Sequence, residues 1–261
     1  MIGIGRATLE SQLGSAPCLI EDTESMFWMR EADDYQNRFS LGNALSAQYR
    51  FRDAIRAYEK ALRIRQDDWK LYYGLGGAYL TIRHFDEAAF AYHRCMVLRE
   101  QESTVAYPLG ISHYLQKDYA GAAMWFKKCL PCDDEMAIAV IYWHTLSCYR
   151  AGDMPILLNS YHQNMVVGHH TAYKVAVSVF SKETSWTDAM KQLEQETDDL
   201  HYIVAVYGLC GYLEQLGEQA LRDRYMAALL KRSSVWPCVS YLAAWGDLHG
   251  MSELPEIGTA K

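Results

Sequence analysis

The sequence predicts an all-α fold, a solenoid of about five or six helix pairs that ends in a C-terminal capping helix. The first observation behind this prediction is a residue pattern that recurs every 34 residues, a period typical of a repeat made of two helices. The second is helical spacing inside the repeat, since Ala88, Tyr92 and Cys95 fall on one face of a helix. The third is a hydrophobic content of 50%, which gives the 261-residue chain enough apolar side chains for a large core.

The recurring pattern defines the elements in order. We call a position that recurs in each unit a column. One column holds a glycine and another a large aromatic ring, and the pairs are Gly42 with Tyr58, Gly76 with Tyr92, and Gly110 with Phe126. Each unit reads as a helix A, a short turn and a helix B, which in the second unit run near 69–82 and 85–98. The predicted segments are an N-terminal, partly helical segment (1–34), three repeat units (35–68, 69–102 and 103–136), degenerate repeats with the capping helix (137–250) and a loose tail (251–261).

The glycine column has a packing explanation. A glycine inside a helix costs about 1 kcal/mol relative to alanine. Gly76 lies where helix A presses against helix B, so a Cβ there would hold the two helices apart. Gly77 lies outside this column, and we interpret it as a hollow beside Tyr73.

Beyond residue 136 the pattern continues in a weaker form. With a shift of 35 residues, SCYRAGDMPILLNSY aligns with SHYLQKDYAGAAMWF, so that Leu157 and Tyr161 take helix B positions of a degenerate fourth unit. Segments 169–196 and 199–231 read as further helix pairs. We expect Ser233 or Ser234 to cap the final helix at its N-terminus.

The three regular units resemble the tetratricopeptide repeat family, whose pattern is W-x2-L-G-x2-Y…A-x3-F…P. The second unit matches best, through Tyr72, Leu75, Gly76, Tyr79, Ala88, Tyr92 and Cys95. The closing proline of the family is missing from all three units. The resemblance covers residues 35–136 and implies a right-handed α-α superhelix whose A helices line a concave, ligand-binding wall. A looser resemblance links residues 67–88 and 107–122 to chaperones of type III secretion translocators, which are acidic and hold an extended peptide in an apolar, aromatic groove.

The family resemblance also implies which side chains contact a partner. It places them on the A helices, at the second, fifth, ninth, twelfth and thirteenth positions of each unit. The expected partner-binding residues are Phe39, Asn43, Tyr73, Gly77, Tyr107, Ile111, Tyr114 and Tyr142. Two other interpretations stay open: these rings pack inside the fold, or the N-terminal segment 25–34 covers them.

Composition narrows the class of partner. The net charge of -7 argues against nucleic acid, which needs a basic surface. No run of apolar residues is long enough to cross a membrane or to form a signal peptide at the N-terminus, so we expect no membrane insertion. The seven scattered cysteines suggest reduced thiols and a cytoplasmic location. The expected partner is therefore a protein or peptide with apolar side chains, and a homo-oligomer is possible.

The cysteines and histidines that could form a catalytic or metal site are better explained as structural or solvent-exposed residues. Cys129 and Cys132 have CxxC spacing, but Cys129 occupies the small-residue column of the repeat and we expect it to be structural. His162, His169 and His170 read as solvated histidines, and we predict no metal and no cofactor. The predicted function is a non-enzymatic protein-binding scaffold or a chaperone-like adaptor. The alternatives are a structural assembly subunit whose groove is occupied and, with less support, an enzyme with its site in the divergent half near 162–170.

Overall fold

The computed structural model describes residues 16–99 and 103–250, with side chains from residue 30 onward except at 31, 33, 103 and 104. Within these residues all regular secondary structure is helical, which confirms the all-α prediction. The α-helices are α1 (Ala16–Ala47), α2 (Phe51–Leu62), α3 (Trp69–Thr81), α4 (Phe85–Arg99), α5 (Ser103–Leu115), α6 (Tyr119–Lys127), α7 (Asp134–Ala151), α8 (Thr171–Phe180), α9 (Trp186–Leu193), α10 (Asp199–Gln215), α11 (Gln219–Leu230) and α12 (Val239–His249). The predicted tail at 251–261 lies outside the described residues.

Two compact units divide the chain, residues 1–67 and residues 68–261. In the first unit, α1 and α2 form one helix pair. The first A helix was expected to begin near residue 35, but α1 runs without interruption from Ala16 to Ala47. The segment 16–34 is therefore a continuous extension of this helix.

In the second unit, α3 pairs with α4 and α5 pairs with α6. The observed bounds of α3 and α4 confirm the helices expected near 69–82 and 85–98. Asp68 caps α3, because its side chain accepts a hydrogen bond from the backbone N–H of Lys70. The A and B helices of each pair are joined by turns of a few residues, so they run in opposite directions.

Six successive A helices end in a turn of the same geometry. Each turn contains a residue with φ between 61° and 77°, namely Tyr49, Arg83, Lys117, Gly152, Lys182 and Gly217. In each of these turns the next residue donates its backbone N–H to the carbonyl five residues earlier, at 2.9–3.0 Å. The helices that end in this way are α1, α3, α5, α7, α8 and α10. The described part of the chain therefore contains five complete helix pairs and a sixth A helix, α7, without an α-helical partner after it, which lies within the predicted range, and α12 follows them.

The fourth pair is incomplete. Its A helix is α7, but a B helix through Leu157 and Tyr161 does not form, and only the 3₁₀ helix Ile156–Ser160 stands there. The sequence NSYHQN at 159–164 consists of residues with low to moderate helix propensity, and its polar side chains compete for backbone groups. The backbone N–H of Val166 donates instead to Asp134 Oδ2, so the segment is held against the start of α7.

The glycine column performs the predicted role. A Cβ added at Gly76 would lie 2.7 Å from Cε1 of Tyr92, and one at Gly110 would lie 2.7 Å from Cε1 of Phe126. Both distances are far below van der Waals contact, so only glycine allows the ring of helix B to lie against helix A. The rings of Tyr92 and Phe126 are buried as a result.

The start of the final helix differs from the sequence-based expectation. Ser233 and Ser234 belong to the short 3₁₀ helix Ser233–Val235, and α12 begins later. Its N-cap is Cys238, whose Sγ accepts a hydrogen bond from the backbone N–H of Tyr241 at 3.4 Å. This helix packs against α5, α10 and α11.

Among the described residues, no helix combines the length and the apolar composition that a membrane crossing needs.

Candidate partner-binding site

Phe39 and Asn43 belong to α1 in the first unit. The ring of Phe39 is half-buried, and its centroid lies 6.1 Å from that of Tyr58 on α2. Asn43 is exposed, and its Oδ1 accepts a hydrogen bond from the hydroxyl of Tyr58 at 2.8 Å. Both residues therefore reach the surface of the first unit while they also support its own packing.

Tyr73 and Gly77 lie one turn apart on α3. Tyr73 is 42% exposed, and its ring stands edge-on to that of Tyr92, with the centroids 6.0 Å apart. A Cβ added at Gly77 would meet only the hydroxyl oxygen of Tyr92, at 3.8 Å, so the space above Gly77 is open. We call the surface formed by Tyr73, Gly77 and the hydroxyl of Tyr92 the Tyr73 notch.

The tyrosines of the notch are hydrogen-bond donors at neutral pH. Burial raises the pKa of Tyr73, and the neighbouring Cys95 adds to the effect. Burial also raises the pKa of Tyr92 far above its usual value. The notch therefore combines an apolar ring face with two protonated hydroxyl groups.

Tyr107 on α5 is partly committed to the core. Its ring is half-buried and stands edge-on to Phe126, with the centroids 5.8 Å apart. Burial raises the pKa of Tyr107 well above its usual range, and the neighbouring Tyr173 on α8 adds to the effect. Only a fraction of this ring is open to a partner.

The prediction is wrong for Ile111, Tyr114 and Tyr142, because all three are buried. The hydroxyl of Tyr142 donates to the backbone carbonyl of Val204 on α10 at 2.8 Å. Gly208 on the same helix makes room for the Tyr142 ring, since an added Cβ would lie 2.5 Å from its Cε2. Side chains enclosed in this way have no surface to offer to a partner.

The chain's own C-terminal half covers the wall at Tyr114. The hydroxyls of Tyr114 and Tyr207 are 2.9 Å apart, and that of Tyr207 donates to Oδ2 of Asp247 on α12 at 3.0 Å. The interpretation that these rings pack inside the fold is therefore correct for this part of the wall. The alternative cover, segment 25–34, includes side chains outside the described residues and stays a prediction.

A buried ion cluster holds α12 in this position, and the sequence patterns did not reveal it. Arg150 at the end of α7 pairs with both carboxylate oxygens of Asp247, at 2.9 and 2.6 Å, and with Glu214 Oε2 at 3.3 Å. Arg83 donates to the carbonyl of Leu242, in the N-terminal half of α12, at 3.3 Å and to that of Gly250, just after the helix, at 2.9 Å. None of these residues lies in a shared repeat column, so periodicity gave no signal for them.

The residues screened for chemistry make packing and loop contacts. Burial raises the pKa of the Cys129 thiol to about 12, which makes it a poor nucleophile at neutral pH. His162 and His169 are exposed, and His170 Nδ1 contacts the backbone carbonyl of Glu135. Among the described residues, no three His, Cys, Asp or Glu side chains are grouped so that they could hold a metal ion.

Comparison with family models agrees with the repeat pattern in the first unit. A family model described as a tetratricopeptide repeat matches residues 40–67. The crystal structure of YrrB, a TPR protein with an unusual peptide-binding site, superposes with a TM-score of 0.46 and 12% identity over 87% of this chain and 96% of YrrB. A chain from the structure of Naa15/Naa10 bound to HypK-THB gives a TM-score of 0.39 and 17% identity over 84% of this chain, which spans only 35% of the other. No curated protein matches the sequence.

The matched segment contains the Gly42 and Tyr58 columns and ends where α3 is about to begin. The same columns recur at Gly76 and Tyr92 with the same close approach of glycine to ring. The chain is therefore similar to tetratricopeptide-repeat proteins, through a family match at residues 40–67 and a second unit with the same columns.

Proposed function

We propose that the protein is a non-enzymatic scaffold that binds an apolar segment of a partner protein, with the Tyr73 notch as its anchor point. The observation that carries this proposal is the exposure of Tyr73, 42%, directly beside the open space over Gly77. Aromatic side chains beside a hollow are typical binding hot spots. Phe39, Asn43 and Tyr107 belong to the proposal as further partly accessible positions of the same repeat columns.

The mechanism is burial of a partner side chain against the Tyr73 ring. An aliphatic side chain that enters the space over Gly77 would cover apolar surface of Tyr73, worth about 25 cal/mol per Å² before ordering costs. The hydroxyl of Tyr73 can donate to a backbone carbonyl of the bound segment, which would fix its register.

Peptides selected from a phage-displayed random library on the wild-type protein test this proposal. We expect Tyr73→Ala to weaken their binding at least about tenfold, because the anchor ring is lost. Gly77→Leu should have a similar effect, since the new side chain fills the hollow. Fluorescence anisotropy with labelled peptides measures both.

The matched control is Phe90→Ala, which removes a ring that is 65% exposed on α4, outside the notch. It should leave peptide affinity unchanged. Circular dichroism establishes that each variant keeps its helices. Peptides that bind Tyr73→Ala and Gly77→Leu as tightly as the wild type would refute the notch as the site.

An assembly subunit is the second candidate, and one observation favours it. The B helix α4 exposes Phe90 and Val97, two large apolar side chains, and α6 exposes Met124. Sedimentation velocity over a range of concentrations tests self-association: a concentration-dependent shift supports it, and a constant monomer opposes it. The cytoplasmic location and the likeness to type III secretion chaperones stay predictions.

A further inference from the structure

The incomplete fourth helix pair leaves a groove beside α6. Where a B helix would follow α7, the chain forms only the 3₁₀ helix Ile156–Ser160. A groove of about 550 Å³ opens between α6, α7 and this segment. Met124 and Lys127 line it from α6, His144 from α7, and Met154 from the segment that follows α7. We call this space the fourth-pair groove.

The preceding helix pair shows how the fold fills the equivalent position with its own side chain. Trp125 of α6 is buried; its Nε1 donates to Nε2 of His113 on α5 at 3.2 Å, and its ring lies 6.4 Å from that of His93 on α4. The shift of 35 residues that aligns the third and fourth units places Ser160 at the position of Trp125 and Cys148 at that of His113. The groove is therefore the position that the ring of Trp125 fills in the third unit, whereas the first and second units have Ala57 and Ala91 there.

The lining of the groove specifies the chemistry of an occupant. Its apolar part includes Met124 and Met154, the latter 80% exposed, and methionine adapts its shape to different partners. Its charged part is Lys127 and Lys128 at the end of α6 together with Asp153 after α7, so lysines outnumber carboxylates in the lining. Lys127 is exposed and makes no ion pair with any residue that the structure describes. On a chain with a net charge of -7, this basic edge favours an occupant with acidic groups beside its apolar face.

We propose that the fourth-pair groove binds an amphipathic helix of a partner protein, which takes the place of the missing B helix. The partner helix carries one large aromatic side chain that enters the groove as Trp125 enters the preceding one. It also carries a carboxylate, one turn from the aromatic residue, that pairs with Lys127. Since α6 has nine residues and a length of about 13 Å, two to three turns of the partner are enough to cover it.

This surface is separate from the Tyr73 notch, because it involves α6 and α7 and no residue of α3. The proposal goes beyond the proposed function, and the two can fail independently. Tyr73→Ala removes the notch and leaves the groove unchanged, so binding by that variant distinguishes them.

The test uses a phage-displayed library of amphipathic helical peptides of about 14 residues, which span about 20 Å, randomised on one face. We expect selection on the wild-type protein to enrich an aromatic residue with Glu or Asp one turn away. The selected peptide, labelled with fluorescein, should lose affinity at least tenfold on Lys127→Glu and on Met154→Asp. A peptide with its acidic residue changed to Lys should regain affinity for Lys127→Glu.

Matched controls place the same chemical changes elsewhere. Lys191→Glu alters an exposed lysine on α9, and Val166→Asp alters an exposed apolar side chain outside the groove. Both should bind the peptide as the wild type does, as should Tyr73→Ala. The proposal would be overturned if the selected peptides lacked either the aromatic residue or the acidic residue. Full binding to Met154→Asp would also overturn it. A wild-type dimer in sedimentation that Met154→Asp abolishes would also overturn it, because the occupant would then be a second copy of the chain.

Discussion

Gly76 and Gly77 are neighbours in α3, but an added methyl group would meet opposite surroundings at the two positions. At Gly76 it would press into the ring of Tyr92, whereas at Gly77 it would touch only the hydroxyl oxygen of that ring at 3.8 Å. We therefore expect Gly76→Ala to lower the free energy of unfolding by about 2 kcal/mol through overpacking. Gly77→Ala should raise it by up to about 1 kcal/mol, because alanine is the better helix former.

Urea denaturation followed by circular dichroism measures both changes in the same background. The two variants differ from the wild type by one methyl group each, so each serves as the control for the other. Equal effects of the two substitutions would contradict the close packing of Gly76 against Tyr92.

His144 should make stability depend on pH. Burial and the neighbouring charge of Lys127 lower the pKa of His144 from 6.5 to about 4. Between these two values the unfolded chain binds a proton that the folded chain excludes, so folding is progressively destabilised as the pH falls from 6.5 towards 4. At pH 5 the loss is about 2 kcal/mol relative to neutral pH.

His144→Gln removes this group and should reduce the pH dependence by that amount. The measurement is the free energy of unfolding of both proteins at pH 7 and pH 5, where the remaining carboxylates titrate alike in the two. If the wild type and the variant lose the same stability between these values, His144 does not carry the effect.

At the scale of the element, the docking of α12 depends on Asp247. Its carboxylate is buried against Arg150, and removal of one partner of a buried ion pair typically costs about 3–5 kcal/mol. Asp247→Ala should destabilise the protein by an amount of this order and raise amide hydrogen exchange in α12 first. Mass spectrometry of exchanged peptides locates the change.

Asp67→Ala is the matched control, because Asp67 pairs with Arg65 at 3.5 Å and both side chains are exposed to solvent. Exposed pairs contribute less than about 1 kcal/mol, so this variant should stay close to the wild type. An equal loss of stability in the two variants would show that the burial of the Asp247 pair does not matter.

The helices could be predicted from the sequence where the repeat is regular, but not where the pattern weakens after residue 136. The bounds of α3 and α4 follow from the glycine and aromatic columns, which fix which face of each helix meets its partner. The missing helix after α7 was not predicted, because Leu157 and Tyr161 keep the apolar spacing of a helix. The polar residues between and after them, and the loop contact of Asp134 with Val166, decide the outcome.

The recurring turn was also invisible in the sequence. Glycine signals a left-handed residue at Gly152 and Gly217, but Tyr49, Arg83 and Lys117 adopt the same conformation with full side chains. Such residues are strained by about 1 kcal/mol each, and the repeated N–H to carbonyl bond offsets this cost. A pattern search for glycine alone finds only part of this feature.

At the scale of the whole molecule, the partner-binding wall was only partly predictable. Tyr73 reaches the surface as expected from the position of its column in the second unit. Tyr114 and Tyr142 occupy related columns but are buried by helices that lie far along the chain: Tyr114 meets Tyr207 across 93 residues. Periodicity reports which face of a helix is apolar, but not which distant element will cover that face.

The contact of Arg83 with α12 has a consequence for synthesis of the protein. Arg83 and Leu242 are 159 residues apart, and translation at about 5–20 residues per second takes roughly 8–30 seconds to cover that distance. The hairpins α3–α4 and α5–α6 depend on local contacts and fold far faster than this. The nascent chain on the ribosome therefore displays Tyr114 without its cover from Tyr207 and α12 for many seconds, and it is a candidate for chaperone capture that the finished protein is not.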